Sequence, residues 1–410
     1  MPLTGIRVLD VGSMVAAPLG ATLLGDMGAD VIKIEPPGGE EGRRIGPRRG
    51  DETGLYIGVN RNKRGMVLDL TQPPGRQVLR QMVQQTDIVI HNQRSPARER
   101  LGLDYPALAA IRPDIILVTV STYGESGPYA GRPGIDPSAQ ALGGLMAGTG
   151  EPGGPALKAG AAVADVTAAT LVAYSAMLAL WARARDGRGQ AAEVALIDGV
   201  VHLQGVQLGE YLLTGNPPPR VGNRSPFYAP YNNYRCADGG EVHLAAFNDK
   251  FYRNLCRALD AAELIDDPRF ASAALRLEHR DALDAHIAAR CARYPRAELM
   301  ARLEHADVVA APVNDYPAAT ADAQLRHNGM FVPVTHAAHG SLLVPGIPLH
   351  MLGTPGAVRR PPPMLGEHTA EILAELGYSA VDSGDGDVNA REPTGRGRCL
   401  ALWLRPLRRN

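Results

Sequence analysis

Residues 6–35 read IRVLDVGSMVAAPLGATLLGDMGADVIKIE. Ile6–Val11 is a short apolar run rich in β-branched residues that meets Gly12, the pattern of a buried strand. From Ala17 to Met27 the small and apolar residues suit a helix, which Gly28 stops, and Asp30–Glu35 is a second strand-like run. Strand, turn, helix, glycine stop and strand in direct succession make a βαβ unit. Further strands are predicted at Met66–Leu70, Asp87–His91 and Ile115–Val120, with helical stretches such as Gly75–Gln85 between them. This alternation implies a parallel sheet covered by helices on both faces, an α/β, Rossmann-like large domain. The first turn is Gly12-Ser13-Met14-Val15-Ala16-Ala17-Pro18 and lacks the second and third glycines of GxGxxG. Close approach of the backbone to a dinucleotide pyrophosphate therefore has no support, although Glu35 stands about where a ribose-binding acid would. A shared βαβ unit does not by itself name a ligand.

The chain has 410 residues, more than one ordinary core accommodates, so two domains are expected. The Ala- and Leu-rich helix Val166–Arg185 and the strand Ala191–Ile197 extend the large domain over 1–216. Residues 217–234, rich in Pro, Gly and Asn, read as a linker, and the helical pattern of Asp249–His305 gives a smaller, mostly α domain at 235–330. Short strands and turns at 331–378 return to complete the large domain, and 379–410 reads as a flexible basic tail.

Hydrophobic residues make up 45% and charged residues 21%, a globular balance that argues against disorder. The net charge of −1 gives no global attraction for nucleic acid or a membrane surface, so any polyanion site is local. Cys236, Cys256, Cys291 and Cys399 lack CxxC spacing and have no histidine pair at ligand intervals, which points to reduced thiols rather than a metal site or a disulfide framework. The N-terminus MPLTGIRVLDVGS has no signal-peptide pattern, and a cytoplasmic protein is expected. The most apolar stretch, Ala168–Ala182, is shorter than a membrane span and reads as a buried helix.

Two features invite chemistry. Arg43, Arg44, Arg48, Arg49, Arg61, Lys63 and Arg64 crowd a segment whose acidic residues are Asp51 and Glu52. Such a run is either a solvated basic loop or a site for a multiply phosphorylated small molecule, which arginine grips bidentately. Asp165, in GAAVADVTAA, opens the long helix, where its carboxylate suits either an N-cap or a nucleophile kept ionised by the helix N-terminus. Residue patterning leaves both readings open.

Several blocks occur in order: the 6–35 stretch, NRNKRGMVLDL, HNQRSPARERLGL, STYGESGP, IDPSAQALGGLMAGTG, GAAVADVTAA, DGRGQAAEVALIDG and LGEHTAEILAELGY. Together they resemble the CaiB/BaiF family of CoA-transferases (class III, formyl-CoA transferase-like), from about Leu3 to Gly377. The resemblance implies that Asp165 is the nucleophile and that Asp136 is the acid that helps to position it. It puts coenzyme A contacts on Val15, Ala16, Leu68, Asn92, Gln93 and Arg100. Where formyl-CoA transferases carry an arginine after the second strand this chain has Pro36, so Arg43 or Arg44 is expected to reach the phosphates. The family's glycine-rich loop is also absent, with Gly222-Asn223 in the corresponding region. Backbone N–H groups near Asp165 or at Gly143-Gly144 are the candidate oxyanion donors.

The activity implied by the resemblance is transfer of CoA from an acyl-CoA thioester to a free carboxylic acid. The intermediates would be an aspartyl anhydride and an aspartyl-CoA thioester, and coenzyme A would act as a substrate, with no permanently bound cofactor. The family also implies an interlocked homodimer. Family racemases need a histidine immediately before the acid matched by Asp136, and Ile135 stands there instead, unable to exchange a proton. A 2-methylacyl-CoA racemase-type enzyme and a catalytically silent CoA-binding homologue are the alternatives.

Overall fold

The computed structural model describes residues 1–378, so the expected basic tail at 379–410 lies outside the described residues. The chain divides into two compact units. Of the described residues, the first takes in 1–143, 161–203 and 326–378; the second takes in 144–160 and 204–325.

The first unit is built on a six-stranded sheet. In chain order its strands are β1 (Arg7–Asp10), β2 (Asp30–Glu35), β3 (Lys63–Val67), β4 (Ile88–His91), β5 (Ile116–Ser121) and β6 (Ala191–Ala195). They lie side by side in the order β3-β2-β1-β4-β5-β6, all parallel. Ile88, Val89 and Ile90 are fully buried in succession, as are Ile116 to Val118, because helices cover both faces and leave no polar alternation. The helices that matter for the site are α1 (Ala16–Asp26), α2 (Pro73–Val83), α3 (Asp136–Leu142), α4 (Val163–Asp186) and α5 (Leu196–Leu203). Gly28, at φ 108°, turns the chain out of α1 as the sequence suggested.

α1 and α4 pack unusually closely. A Cβ on Gly20 would lie 2.5 Å from Val172 Cγ1 and 3.1 Å from the Ala169 carbonyl, so this crossing requires glycine. α4 buries Ala164, Ala168, Ala169, Val172, Ala176 and Ala179, a single stripe at helical spacing. Its opposite side exposes Val166, Tyr174, Leu178 and Trp181, so the helix read as buried is buried on one face only. By length and composition α4 is also long and apolar enough to cross a membrane.

The outer strand β3 is not left open. Asn62, Gly65 and Val67 hydrogen-bond through their backbone N–H groups to Arg360 O, His368 Nδ1 and Thr369 Oγ1, at 3.1, 3.2 and 3.0 Å. The returning segment thereby occupies the sheet edge.

The second unit contains an antiparallel sheet of β7 (Tyr231–Arg235), β8 (Glu241–Ala245) and β9 (Val309–Pro312), with β8 central. Helices Asp249–Ala258, Arg280–Cys291 and Arg296–His305 supply most of the remaining core, around Tyr252, Leu255, Phe270, Leu283 and Leu299. The unit is mostly helical, as expected, and adds a three-stranded sheet that the sequence reading did not include. β7 also begins inside the stretch read as a linker, because YNNYR pairs with the clearly strand-like EVHLA through a tight turn at Gly239, φ 82°.

Candidate active site

The strand order reverses direction between β1 and β4, and in open α/β sheets such a reversal marks a ligand crevice at the carboxyl ends of the strands. The turn leaving β1 is locked there by hydrogen bonds. Ser13 donates its N–H to Asn92 Oδ1 at 3.0 Å and accepts from Asn92 Nδ2 at 2.9 Å. Gln93 Nε2 donates to Val11 O at 3.3 Å. The turn that leads to Val15 and Ala16 is thereby tied to Asn92 and Gln93. Leu68, just beyond β3, lies on the same sheet edge but two strands away, buried, with its N–H on Glu35 O at 2.8 Å. Arg100 is exposed on the short helix Ala97–Leu101.

Beneath the turn sits a group of buried charges. Asp10 Oδ1 accepts the Gly12 N–H at 2.9 Å, while Lys63 Nζ donates to Asp10 Oδ2 at 2.8 Å and to Pro18 O at 2.7 Å. Lys33 Nζ donates to Gly12 O at 2.7 Å and pairs with Glu40 Oε1 at 3.1 Å. Glu40 Oε2 accepts the Met14 N–H at 2.6 Å. Burial opposes ionisation of Asp10, yet Lys33 and Lys63 hold its carboxyl below the ordinary range. The sequence reading missed Asp10, Lys33 and Glu40. The available signal was a full charge inside the otherwise apolar strands RVLD and DVIKIE.

The basic run behaves differently from its expected role. Arg43 is buried, donating to Glu35 at 2.7 and 2.8 Å, to Glu52 at 2.9 Å and to Pro363 O at 3.0 Å, with its guanidinium 3.7 Å from the Tyr56 ring centroid. Arg61 pairs with Asp26 at 2.6 Å, and Arg64 with Asp30 at 2.7 Å. The assignment of Arg43 to phosphates is corrected: its donors face inward carboxylates. Arg44, Arg48 and Arg49 are exposed.

At the head of α4 the capping role that the sequence left open for Asp165 falls to Asp136. α4 begins at Val163 with Ala162 at the cap, so Asp165 lies inside the first turn and is not the N-cap. The capping carboxylate is Asp136, at the start of α3: its Oδ2 accepts the N–H of Ala164 at 2.7 Å and of Asp165 at 3.1 Å. Gln140 Nε2 donates to the other oxygen. The Asp165 carboxylate is half-buried and receives no hydrogen bond from any described residue. Burial first, and the charge of Asp136 second, push it up to about 7. The helix N-terminus was expected to keep this acid ionised; desolvation and a like charge outweigh it.

Several of the expected oxyanion donors are occupied. Asp136 takes two N–H groups of the first turn, Val163 and Val166 donate to Ala161 O and Ala162 O at 2.9 and 3.0 Å, and Gly143 donates to Ala139 O at 2.8 Å.

α1 and α4 both run from the carboxyl edge of the sheet toward its opposite edge, since each leads into a parallel strand. Gly20 meets Ala169 and Val172, so Ala16 and Asp165 each stand one turn, roughly 6 Å, nearer the carboxyl edge. Asp165 and the locked turn therefore share the crevice end of the unit. Among the described residues no group of three His, Cys, Asp or Glu side chains is placed to hold a metal ion.

The chain is similar to known proteins in sequence and in fold. The family described as CoA-transferase family III matches residues 3–369. A succinate–glutarate CoA-transferase of Agrobacterium fabrum is 36% identical over 385 residues, 92% of this chain and 96% of that protein. A succinyl-CoA–D-citramalate CoA-transferase of Chloroflexus aurantiacus is 34% identical over 377 residues, 92% of this chain and 94% of its own length. The crystal structure of a CaiB/BaiF family protein from Brucella suis superposes with a TM-score of 0.86 at 34% identity, covering 92% of this chain and 99% of that one.

The raised Asp165 pKa has a consequence for stability. An unfolded aspartate titrates near 3.8, so the folded protein holds this proton more tightly; that contribution is intact below about pH 4 and is lost as pH rises through about 7. Asp165→Asn, neutral throughout, is expected to raise the unfolding free energy by about 1–3 kcal/mol at pH 8, partial solvent screening reducing the full effect. Near pH 4 the gain should vanish. Urea titrations at the two pH values check this, and an absent or pH-independent gain contradicts it.

Proposed function

The chain belongs to CoA-transferase family III, and we propose that it moves coenzyme A from an acyl-CoA thioester to a free carboxylic acid with Asp165 as the nucleophile. The observation that carries this reading is the pairing at the head of α4: a half-buried carboxylate that no described residue hydrogen-bonds, on a helix turn capped by a second acid. A carboxylate stripped of donors is a stronger nucleophile than a solvated one, and its raised pKa still leaves much of it ionised near neutrality.

In the proposed cycle an Asp165 oxygen attacks the thioester carbonyl and CoA leaves as thiolate, forming a mixed anhydride. The thiolate attacks the aspartyl carbonyl and releases the donor acid, leaving aspartyl-CoA. The acceptor carboxylate then attacks that thioester, expels the thiolate and forms a second anhydride. Attack of the thiolate on the acceptor's carbonyl gives the new acyl-CoA and restores Asp165. The acyl bond stays activated at each stage, so the cycle requires no bound cofactor. Asp136 is assigned the positioning role, since it fixes the backbone of Asp165 itself. Racemisation gains no support, because the residue before Asp136 is the exposed aliphatic Ile135.

The proposed setting is the cytoplasm, and the proposed assembly is a homodimer. The apolar stripe of Val166, Tyr174, Leu178 and Trp181 on α4 supports the latter, being a surface that a second copy would cover. Light scattering is expected to give about twice the 43.5 kDa chain mass, and a monomer at micromolar concentration contradicts the assembly.

Activity is tested with succinyl-CoA and a panel of carboxylic acids, the donor being chosen because the D-citramalate relative is named for it. Transfer is expected to increase with pH through about 7, as the nucleophilic carboxylate forms, and to disappear in Asp165→Ala with CoA binding retained. Retained turnover in that variant ends the proposal. CoA binding without exchange across the panel favours the silent homologue.

A further inference from the structure

The turn that follows β1 has no glycine-rich fingerprint, and its backbone is held by a different device. Met14 stands at φ 67°, a left-handed conformation that a non-glycine side chain seldom adopts and that persists only where neighbours impose it. Gly12 is confined on both sides: a Cβ there would lie 2.6 Å from Ala17 Cβ and 3.1 Å from Asp10 Oδ1. Four ionised side chains grip the turn from beneath. Asp10 takes the Gly12 N–H, Lys33 takes the Gly12 carbonyl, Lys63 takes the Pro18 carbonyl and Glu40 takes the Met14 N–H. Two carboxylates face two ammonium groups, so the quartet is neutral, and all four residues are buried.

Within this quartet Glu40 has a distinct position. It lies outside the sheet strands, on the segment after β2, and it joins the strained residue to the buried charge: one oxygen on the Met14 N–H, the other on Lys33 Nζ. A carboxylate meets both donors at once. An amide of the same shape meets one and presents its own N–H to the other. We infer that Glu40, backed by Lys33, is a positioning residue that sets the backbone of Ser13–Ala16 for the acyl-CoA, replacing the conformational freedom that glycines supply in dinucleotide-binding turns. The inference rests on the reading that this turn receives coenzyme A.

The test uses the full-length protein and coenzyme A itself, with binding followed by calorimetry and transfer by steady-state rates. Glu40→Gln is expected to raise the Kd for CoA and the KM for acyl-CoA about tenfold, with kcat at saturation within about twofold of the wild type. Glu40→Asp is the second arm. It keeps the buried charge balance, so the protein folds, but one methylene shorter it cannot stay on Lys33 and reach Met14; the same shift in Kd and KM is expected. A residue that served stability alone would lower the melting temperature and leave Kd and KM of the folded fraction unchanged. Folded variants that both bind CoA as the wild type does overturn the inference, as does a fall in kcat with Kd unmoved. Absence of CoA binding in the wild type instead overturns the reading beneath it, and the inference with it.

Discussion

The Asp136 carboxylate on the first turn of α4 is the contact on which the chemistry of this unit depends. By accepting the Ala164 and Asp165 N–H groups it completes the helix end with a charge rather than a neutral cap. That has two effects in opposite directions. The backbone of Asp165 is fixed in place, and the Asp165 side chain, deprived of those same donors, faces a like charge nearby. A helix N-terminus ordinarily favours an anion, but here its donors already serve another anion. Burial, the larger effect, and this like charge together leave an acid poised near neutrality at the carboxyl end of a Rossmann-like sheet.

The locked turn at that end of the sheet uses buried charge for a mechanical purpose. Taking Asp10, Lys33, Lys63 and Glu40 out of water is costly, and pairing alone rarely makes such a group a net source of stability. Each member also ties down a backbone group of one turn, so the arrangement specifies a conformation. The neighbouring Glu35–Arg43–Glu52 group does the same for the segment after β2, joining it to Pro363 of the returning chain. Charges that composition alone would assign to solvent or to phosphates are instead part of the interior.

The parts of the fold legible in the sequence are those set by local chemistry. β1, α1 and β2 lie within a residue or two of their expected bounds, because apolar runs, small helical residues and Gly28 act over neighbouring positions. The partners of charged side chains were not legible, since they come from a distance. The cap of α4 comes from 28 residues earlier, and Arg43 meets Glu35, Glu52 and Pro363 only once the chain has folded. β7 escaped notice because YNNYR carries asparagines where strands usually show apolar residues, and its pairing with β8 is tertiary. Asp165 itself was visible, but its electrostatic setting was not, since that is set first by burial and then by the charge of Asp136, both products of the fold.

Oxygen tracing tests the covalent role of Asp165 most directly. Transfer is run with an acceptor acid labelled with heavy oxygen in its carboxylate, and the released donor acid and the peptide holding Asp165 are weighed by mass spectrometry. The account predicts that the label enters the Asp165 carboxylate during one turnover and leaves in the donor acid during the next, because the bridging oxygen of each anhydride passes through that side chain. Steady transfer with both the peptide and the released acid unlabelled would contradict it.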